Sequence, residues 1–157
     1  MSKNNLIMRN VAKIGIACLA VIMLFACGDK NKCKEINSNF DTEYAKYNEL
    51  HKQFDEYLTQ CMQIDGYKDA YEHFMIIGLP WGTDLKTAIH IYEVWNEDTD
   101  IWSNLTDSQQ KLITDTYDIA TKAWTQGSIC AEMVNNNPDC LGDKEEFNGI
   151  IYYLIAP

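Results

Sequence analysis

Apolar residues recur every three or four positions along much of the chain beyond residue 40. The first stripe predicts a helix from about Asp41 to Gln63, because this spacing places all of its members on one helical face. The stripe consists of Phe40, Tyr44, Tyr47, Leu50, Phe54, Tyr57, Leu58 and Cys61. Asp65-Gly66 interrupts the pattern, which resumes in a second predicted helix from Tyr67 to Ile77.

A loop containing glycine and proline follows, with Trp81 at its tip. A third helix is predicted over about 84–95, where Thr83 or Asp84 is placed to cap its first turn. The residues Asn96–Ser103 are rich in acidic side chains and are predicted to form an exposed connection.

Thr106 and Gln109 have the spacing of a capping box and predict the start of a fourth helix. Gly127 either ends this helix or lies within it on the way to Val134. Asn135–Asp139 contains three asparagines and a proline, and it predicts a turn.

The last element spans residues 147–155 and contains the run Ile-Ile-Tyr-Tyr-Leu-Ile. This run is compatible with a buried strand, but a single strand has no evident partner, so a short helix is favoured. The pattern therefore predicts an all-α fold for residues 40–157, a small helical bundle of about five helices stapled by up to two disulfides.

The N-terminus has a different pattern. Lys3, Arg9 and Lys13 are the only charges in the first 26 residues, and an uncharged run of about 13 residues follows them. A membrane-spanning helix needs roughly 20 apolar residues, so this run is too short to span a bilayer. A basic start and a short apolar run indicate a secretory signal, with an uncleaved anchor as the alternative.

The residues Leu24-Phe-Ala-Cys27 resemble the lipobox of bacterial lipoproteins. The resemblance implies that residues 1–26 are removed and that Cys27 carries a diacylglycerol and an N-acyl chain, with no other cofactor. Residues 27–39 then form the lipidated cysteine and a polar tether. Gly28 follows the cysteine where aspartate tends to retain such proteins in the inner membrane. The resemblance thus implies a lipid-anchored envelope protein, in the outer membrane if the host has two membranes.

The charge of the remaining chain limits its partners. Residues 1–26 hold three of the 13 basic residues and none of the 23 acidic ones, so the other 131 residues carry a net charge of −13. Their basic residues are all lysines, which lack the planar fork of arginine. Nucleic acid and anionic surfaces should be repelled by this chain, whereas a basic protein, a polyamine or a divalent cation suits it better.

Four cysteines remain after the predicted cleavage: Cys33, Cys61, Cys130 and Cys140. An even number in an exported protein predicts two disulfides. The predicted first helix holds Cys61 almost out of reach of Cys33, which favours bonds from each of them to the 130–140 region. A local Cys130–Cys140 bond remains an alternative. A zinc site is disfavoured because no paired cysteine spacing occurs.

No catalytic constellation is recognisable, and we predict that the protein is not an enzyme. His51, His73 and His90 occur in no paired helical spacing, and the sequence has no nucleophile elbow or phosphate-binding loop.

The first, third and fifth positions of a calcium-binding loop are matched by Asn96, Asp98 and Asp100. The sixth position should be glycine and is Ile101, and the twelfth should be glutamate and is Asp107. No metal site is therefore predicted.

Aromatic and acidic residues coincide around the two central connections, although most aromatic rings in a domain of this size belong to the core. The predicted binding surface consists of Trp81, Glu97, Asp98, Asp100 and Trp102. Rings as anchors and carboxylates that steer a basic partner are typical of a protein interface. A small, acidic, disulfide-stapled helical protein of this kind resembles immunity proteins and anchored inhibitors. This resemblance favours a protein-interaction module as the function. An accessory or exclusion-type envelope lipoprotein and a small-ligand binder are the alternatives.

Overall fold

A computed structural model describes the backbone of residues 3–76 and 84–142, and the side chains of residues 30–75 and 84–142. These residues form helices and no strand, which confirms the predicted all-α bundle. The helices are α1 (Lys3–Cys61), α2 (Tyr67–Ile76), α3 (Asp84–Glu97), α4 (Thr99–Asn104), α5 (Asp107–Asn136) and α6 (Pro138–Leu141). The chain divides into two compact units, Met1–Ser38 and Asn39–Pro157.

The first unit is helical through the segment 28–39 that precedes the predicted first helix. The predicted start at Asp41 is therefore wrong. Helix α1 continues because no glycine or proline follows Gly28 in this segment. The side chain of Asn37 also donates a hydrogen bond to the Cys33 carbonyl, 2.9 Å away. Within the described part of the chain, no helix combines the length and apolarity that crossing a bilayer requires.

The second unit is organised around a seam between α1 and α5. The buried positions on α1 recur every seven residues, and those on α5 alternate between steps of three and four. This repeat keeps one face of each helix against its partner, as in a coiled coil. The α1 positions are Phe40, Tyr47, Phe54 and Cys61. The α5 positions are Ile113, Thr116, Ala120, Ala123, Gly127, Cys130 and Val134.

Two polar contacts join the helices of this seam. The Cys61 thiol lies 3.1 Å from the Thr116 hydroxyl. The Gln126 amide donates to a carboxylate oxygen of Glu43 at 2.7 Å, about five turns away along α1 and about three turns away along α5. Because the later residue on α1 meets the earlier one on α5, the two helices are antiparallel.

Large rings of α1 and small residues of α5 are buried in this seam. Tyr47 and Phe54 lie between the two polar contacts on α1, Ala120 and Ala123 lie between them on α5, and Gly127 directly follows Gln126. A ring against alanine or glycine lets the helices approach closely without a void. Gly127 is thus a buried residue inside α5, which settles the alternative that it ends the helix.

Helix α3 lies beside this seam and packs against α2, α4 and α5. Its buried Ile91 and Trp95 join a core cluster with Cys61, Tyr67 and Ile113. The rings of Tyr67 and Trp95 meet edge to face, with centroids 5.5 Å apart. Such pairs stabilise a core beyond the area they bury, and they show that part of the aromatic content serves packing.

The predicted acidic connection 96–103 is largely helical, and this prediction is wrong. Asp98 is the only non-helical residue between α3 and α4. Its carboxylate accepts hydrogen bonds from the backbone N–H groups of Asp100 at 3.0 Å and Ile101 at 3.1 Å. An aspartate that caps free N–H groups ends one helix and starts the next within a single residue.

The capping box predicted at the start of α5 is confirmed. Gln109 N–H donates to the Thr106 hydroxyl at 3.3 Å, and the Gln109 side chain accepts from Thr106 N–H at 2.9 Å.

The predicted turn at 135–139 is reduced to Asn137, because Pro138 is already the first residue of α6. The Trp81 loop and the element predicted over 147–155 lie outside the described residues.

Replacing Thr106 with alanine is expected to lower the free energy of unfolding by about 1 kcal/mol, because it removes the acceptor for an otherwise unpaired helix N–H. Urea unfolding monitored by circular dichroism measures the change. Ser108→Ala is the control, since this exposed residue of the same helical turn should shift stability by less than about 0.5 kcal/mol. Equal effects of the two substitutions would contradict the capping role.

Candidate functional site

The predicted binding surface is only partly described. Trp81 and the side chain of Cys27 lie outside the described residues. Glu97 is exposed at the end of α3, and Asp100 is exposed in the first turn of α4. Asp98 is exposed too, but its carboxylate also caps α4. These three carboxylates therefore lie on consecutive turns at one end of the bundle.

Trp102 is packed against its neighbours and is only partly accessible. Its ring meets that of Tyr92 edge to face at 5.9 Å, and it packs against the core cluster. Its carbonyl accepts a hydrogen bond of 2.8 Å from the Gln110 side chain. Trp102 positions α4 on the bundle, and its half-buried ring offers little surface to a partner.

An open pocket of about 480 Å³ lies beside α4, and we call it the acidic pocket. Its lining consists of Ile64, Asp65, Gly66, Ala70, Trp95, Ile101, Asn104, Leu105 and Gln109. The floor is apolar, and Ile101 keeps 36% of its surface exposed at the edge. Gly66 permits this shape, because its φ of 78° turns the chain sharply between α1 and α2.

Exposed carboxylates follow the lining residues of the acidic pocket closely in the sequence. Between positions 94 and 110 the chain has four carboxylates and no lysine, arginine or histidine. All four are exposed: Glu97, Asp98, Asp100 and Asp107. Asp65 adds a fifth and itself lines the pocket. Clustered charge of one sign attracts cations from a distance and raises their association rate.

Sequence reasoning identified the acids of this site but missed its apolar floor. Ile64 and Leu105 are brought together only by tertiary packing, from positions far apart in the chain. One local signal was available, since Ile101 is a large apolar residue inside an acidic run. On the sequence alone, Ile101 counts only as a mismatch to a calcium loop.

The cysteines divide into two kinds. Cys33 and Cys140 are disulfide-bonded, whereas Cys61 and Cys130 are buried free thiols. The prediction of up to two disulfides is confirmed with one, and the prediction that Cys61 and Cys130 also form disulfides is wrong, because both are buried free thiols. Both thiols lie on the α1–α5 seam, where a cysteine serves as a small apolar core residue.

Burial raises the pKa of the Cys130 thiol to about 11 from its ordinary value of 9.0, and it also raises the pKa of Cys61. Only the thiolate is a good nucleophile, so neither thiol is activated at neutral pH. The arrangement of these two residues therefore supports packing and offers no nucleophile.

Stability is expected to fall as the pH rises from about 9 to about 11. The folded chain holds the Cys130 proton over this window while the unfolded chain releases it, so alkali favours unfolding. Urea titrations at several pH values measure the loss. Cys130→Ala should flatten the pH dependence relative to the wild type, even though it lowers stability at neutral pH. An unchanged slope in this variant would contradict the assignment.

The three histidines contact nearby carboxylates or rings, and His73 and His90 both contact the ring of Phe74. His51 lies 3.4 Å from the carboxylate of Asp55, and His90 lies 3.9 Å from that of Glu93. The His73 ring meets Phe74. Among the residues that the structure describes, no three metal-ligating side chains converge. The predictions of no enzyme activity and no metal remain predictions.

Comparison of the chain with protein-family models, with curated proteins and with solved structures finds no match in any of the three.

Proposed function

We propose that this chain is an envelope lipoprotein that is anchored through lipid on Cys27 and binds a basic protein partner through the acidic pocket. The action would be of the immunity or inhibitor type, in which a small anchored domain covers a surface of its target. The membrane contact is then made by the lipid, and the helical domain is free to bind.

The observation that carries this proposal is an apolar floor with Asp65 in its lining and four exposed carboxylates close to the lining residues in the chain. Ile64, Ile101 and Leu105 provide the floor, on which an apolar side chain of a partner can be desolvated. The surrounding acids would steer a basic surface toward it and select against acidic ones. Because Trp102 is half-buried, the apolar anchor comes from the partner and not from this chain.

The test is capture of partners from envelope extracts with the full chain in detergent. The variant Asp65→Asn/Glu97→Gln/Asp100→Asn neutralises the rim and leaves the Asp98 cap intact. We expect it to lose about tenfold in association rate at low salt, measured by surface plasmon resonance on the captured protein. The captured protein should be basic, and the wild-type rate should fall as salt is raised.

A matched control separates the site from overall charge. The variant Glu56→Gln/Asp118→Asn/Glu132→Gln also removes three exposed carboxylates, but none lines the acidic pocket or lies within two residues of a lining residue in the chain. We expect it to bind as the wild type does. Equal losses in both variants, or full binding by the rim variant, would reject the acidic pocket as the binding surface.

A further inference from the structure

A second open cavity, of about 450 Å³, lies between α3 and α5, and we call it the α3–α5 groove. Its lining consists of Lys86, Ile89, His90, Glu93, Tyr117, Thr121 and Trp124. It shares no lining residue with the acidic pocket, and its chemistry differs. Concave sites with aromatic walls and a few converging polar groups are typical of small-ligand binding.

Two aromatic rings on α5 form the apolar part of the groove. Tyr117 stacks on Tyr92 with centroids 4.2 Å apart and an angle of 21° between the rings, which fixes its orientation. Two turns further along α5, Lys86 Nζ lies 4.4 Å from the centre of the Trp124 ring. A ligand of moderate size would therefore meet pre-positioned rings and would lose little side-chain entropy on binding.

Thr121 lies between these rings and has a buried hydroxyl without a hydrogen-bond partner. Neighbouring hydroxyls on α5 behave differently, since those of Thr116, Thr125 and Ser128 each donate to the carbonyl four residues before. A buried unpaired hydroxyl costs about 1–3 kcal/mol. Thr121 is one of the residues that line the groove, so rotation about its Cα–Cβ bond brings this hydroxyl within reach of a ligand there.

The charges around the groove exclude several ligand classes. Lys86 and Glu93 give the groove one charge of each sign, which favours a neutral ligand over an anion or a cation. A wholly apolar ligand would cover the Glu93 carboxylate without offering it a hydrogen bond, which is costly. A neutral ring with several hydroxyls avoids each penalty, because its C–H face packs on aromatic rings and its hydroxyls both donate and accept.

We propose that the α3–α5 groove binds a neutral sugar ring of an oligosaccharide. Trp124 and Tyr117 contact the apolar face of the ring, and its hydroxyls pair with Glu93, His90 and Thr121. The assignment stands apart from the acidic pocket, and either site can fail its test without affecting the other.

The experiment uses the full chain in a detergent without a sugar headgroup. Triacetylchitotriose, maltotriose and cellotriose are titrated separately, with sodium benzoate and trimethylphenylammonium as charged ring probes. Saturation-transfer NMR detects contact, and tryptophan fluorescence gives the affinity. We expect at least one trisaccharide to bind with a Kd in the range of about 0.1–5 mM, and more tightly than either charged probe.

Two variants test the residues. Thr121→Val is expected to weaken trisaccharide binding about tenfold while leaving the melting temperature unchanged or raised, because the unpaired hydroxyl is removed. Trp124→Leu is expected to weaken binding at least as much, with circular dichroism confirming that it folds. Thr125→Val is the control, since this exposed hydroxyl is outside the groove lining, and its affinity should stay within about twofold of the wild type.

The proposal is overturned if none of the trisaccharides binds at concentrations up to about 20 mM. Tighter binding of benzoate or trimethylphenylammonium would overturn it too, because the groove would then select charge. Equal weakening by Thr121→Val and Thr125→Val would show that the orphan hydroxyl has no part in recognition. If Trp124→Leu does not fold, the comparison of the two threonine variants decides the matter.

Discussion

Replacing Phe54 with alanine is expected to lower the free energy of unfolding by about 3–5 kcal/mol. Phe54 has an exposed fraction of 0% and lies near the middle of the α1–α5 seam. The substitution removes the transfer energy of a whole ring and leaves a cavity. The cost should be at the upper end of this range, because the seam has little means of closing the gap.

The composition of α5 explains why the gap would stay open. Ala120 and Ala123, the buried α5 residues between the two polar contacts of the seam, have no side-chain length with which to fill a void. Large cavities that cannot collapse carry the largest penalties in core substitutions. The opposite change, Ala123→Leu, would overpack the same region and cost about 1–3 kcal/mol.

Thermal and urea unfolding measure the effect of Phe54→Ala. A melting temperature lower by roughly 10–20 °C is expected for a domain of this size. Glu56→Ala is the control, because this exposed side chain two residues away should shift stability by less than about 0.5 kcal/mol. A loss below about 1.5 kcal/mol for Phe54→Ala would contradict the packing described for the seam.

The α1–α5 seam was largely readable from the sequence. Phe40, Tyr47, Phe54 and Cys61 were all members of the predicted stripe, and the structure buries each of them. The cap at Thr106 was equally readable, since a capping box is a local pattern that depends on four consecutive residues. Regular spacing and local hydrogen bonds can be predicted from the sequence, because neither depends on a residue far away in the chain.

Features that depend on tertiary contacts or on competing local preferences were not predictable. Polar and acidic composition at 96–103 suggested a connection, but the same aspartates are good caps and first-turn residues. The state of the cysteines depends on which side chains meet in space. Cys61 and Cys130 occupy buried seam positions, where a thiol packs like any small apolar group. The number of cysteines does not reveal this, so the prediction that both form disulfides was wrong.

The two cavities use different parts of helices α3 and α5. The α3–α5 groove is lined by positions 86–93 of α3 and 117–124 of α5, which supply rings and mixed polar groups. The acidic pocket takes only Trp95 and Gln109 from these helices, and its other lining residues come from the α1–α2 turn, α2, α4 and Leu105. Because the two cavities share no lining residue, a substitution in one is expected to leave the other intact.

Replacing Cys27 with serine is expected to abolish lipid attachment. In the proposed precursor the Cys27 thiol is the atom that receives the diacylglycerol, and a serine hydroxyl is a far weaker nucleophile than a thiolate. Two or three acyl chains hold a protein on a bilayer stably, whereas each buried CH₂ contributes only about 0.8 kcal/mol. The whole lipid anchor therefore depends on one sulfur atom.

Labelled palmitate and intact mass spectrometry of the full chain expressed in a bacterium measure the outcome. The wild type should incorporate label and lose residues 1–26, while Cys27→Ser should remain unlabelled and accumulate at precursor length. Cys18→Ser is a matched control, since Cys18 lies in the same apolar run and is removed with it. It should be labelled and cleaved as the wild type is. Label in Cys27→Ser, or its absence from the wild type, would reject the lipoprotein assignment and leave the acidic pocket to be tested on its own.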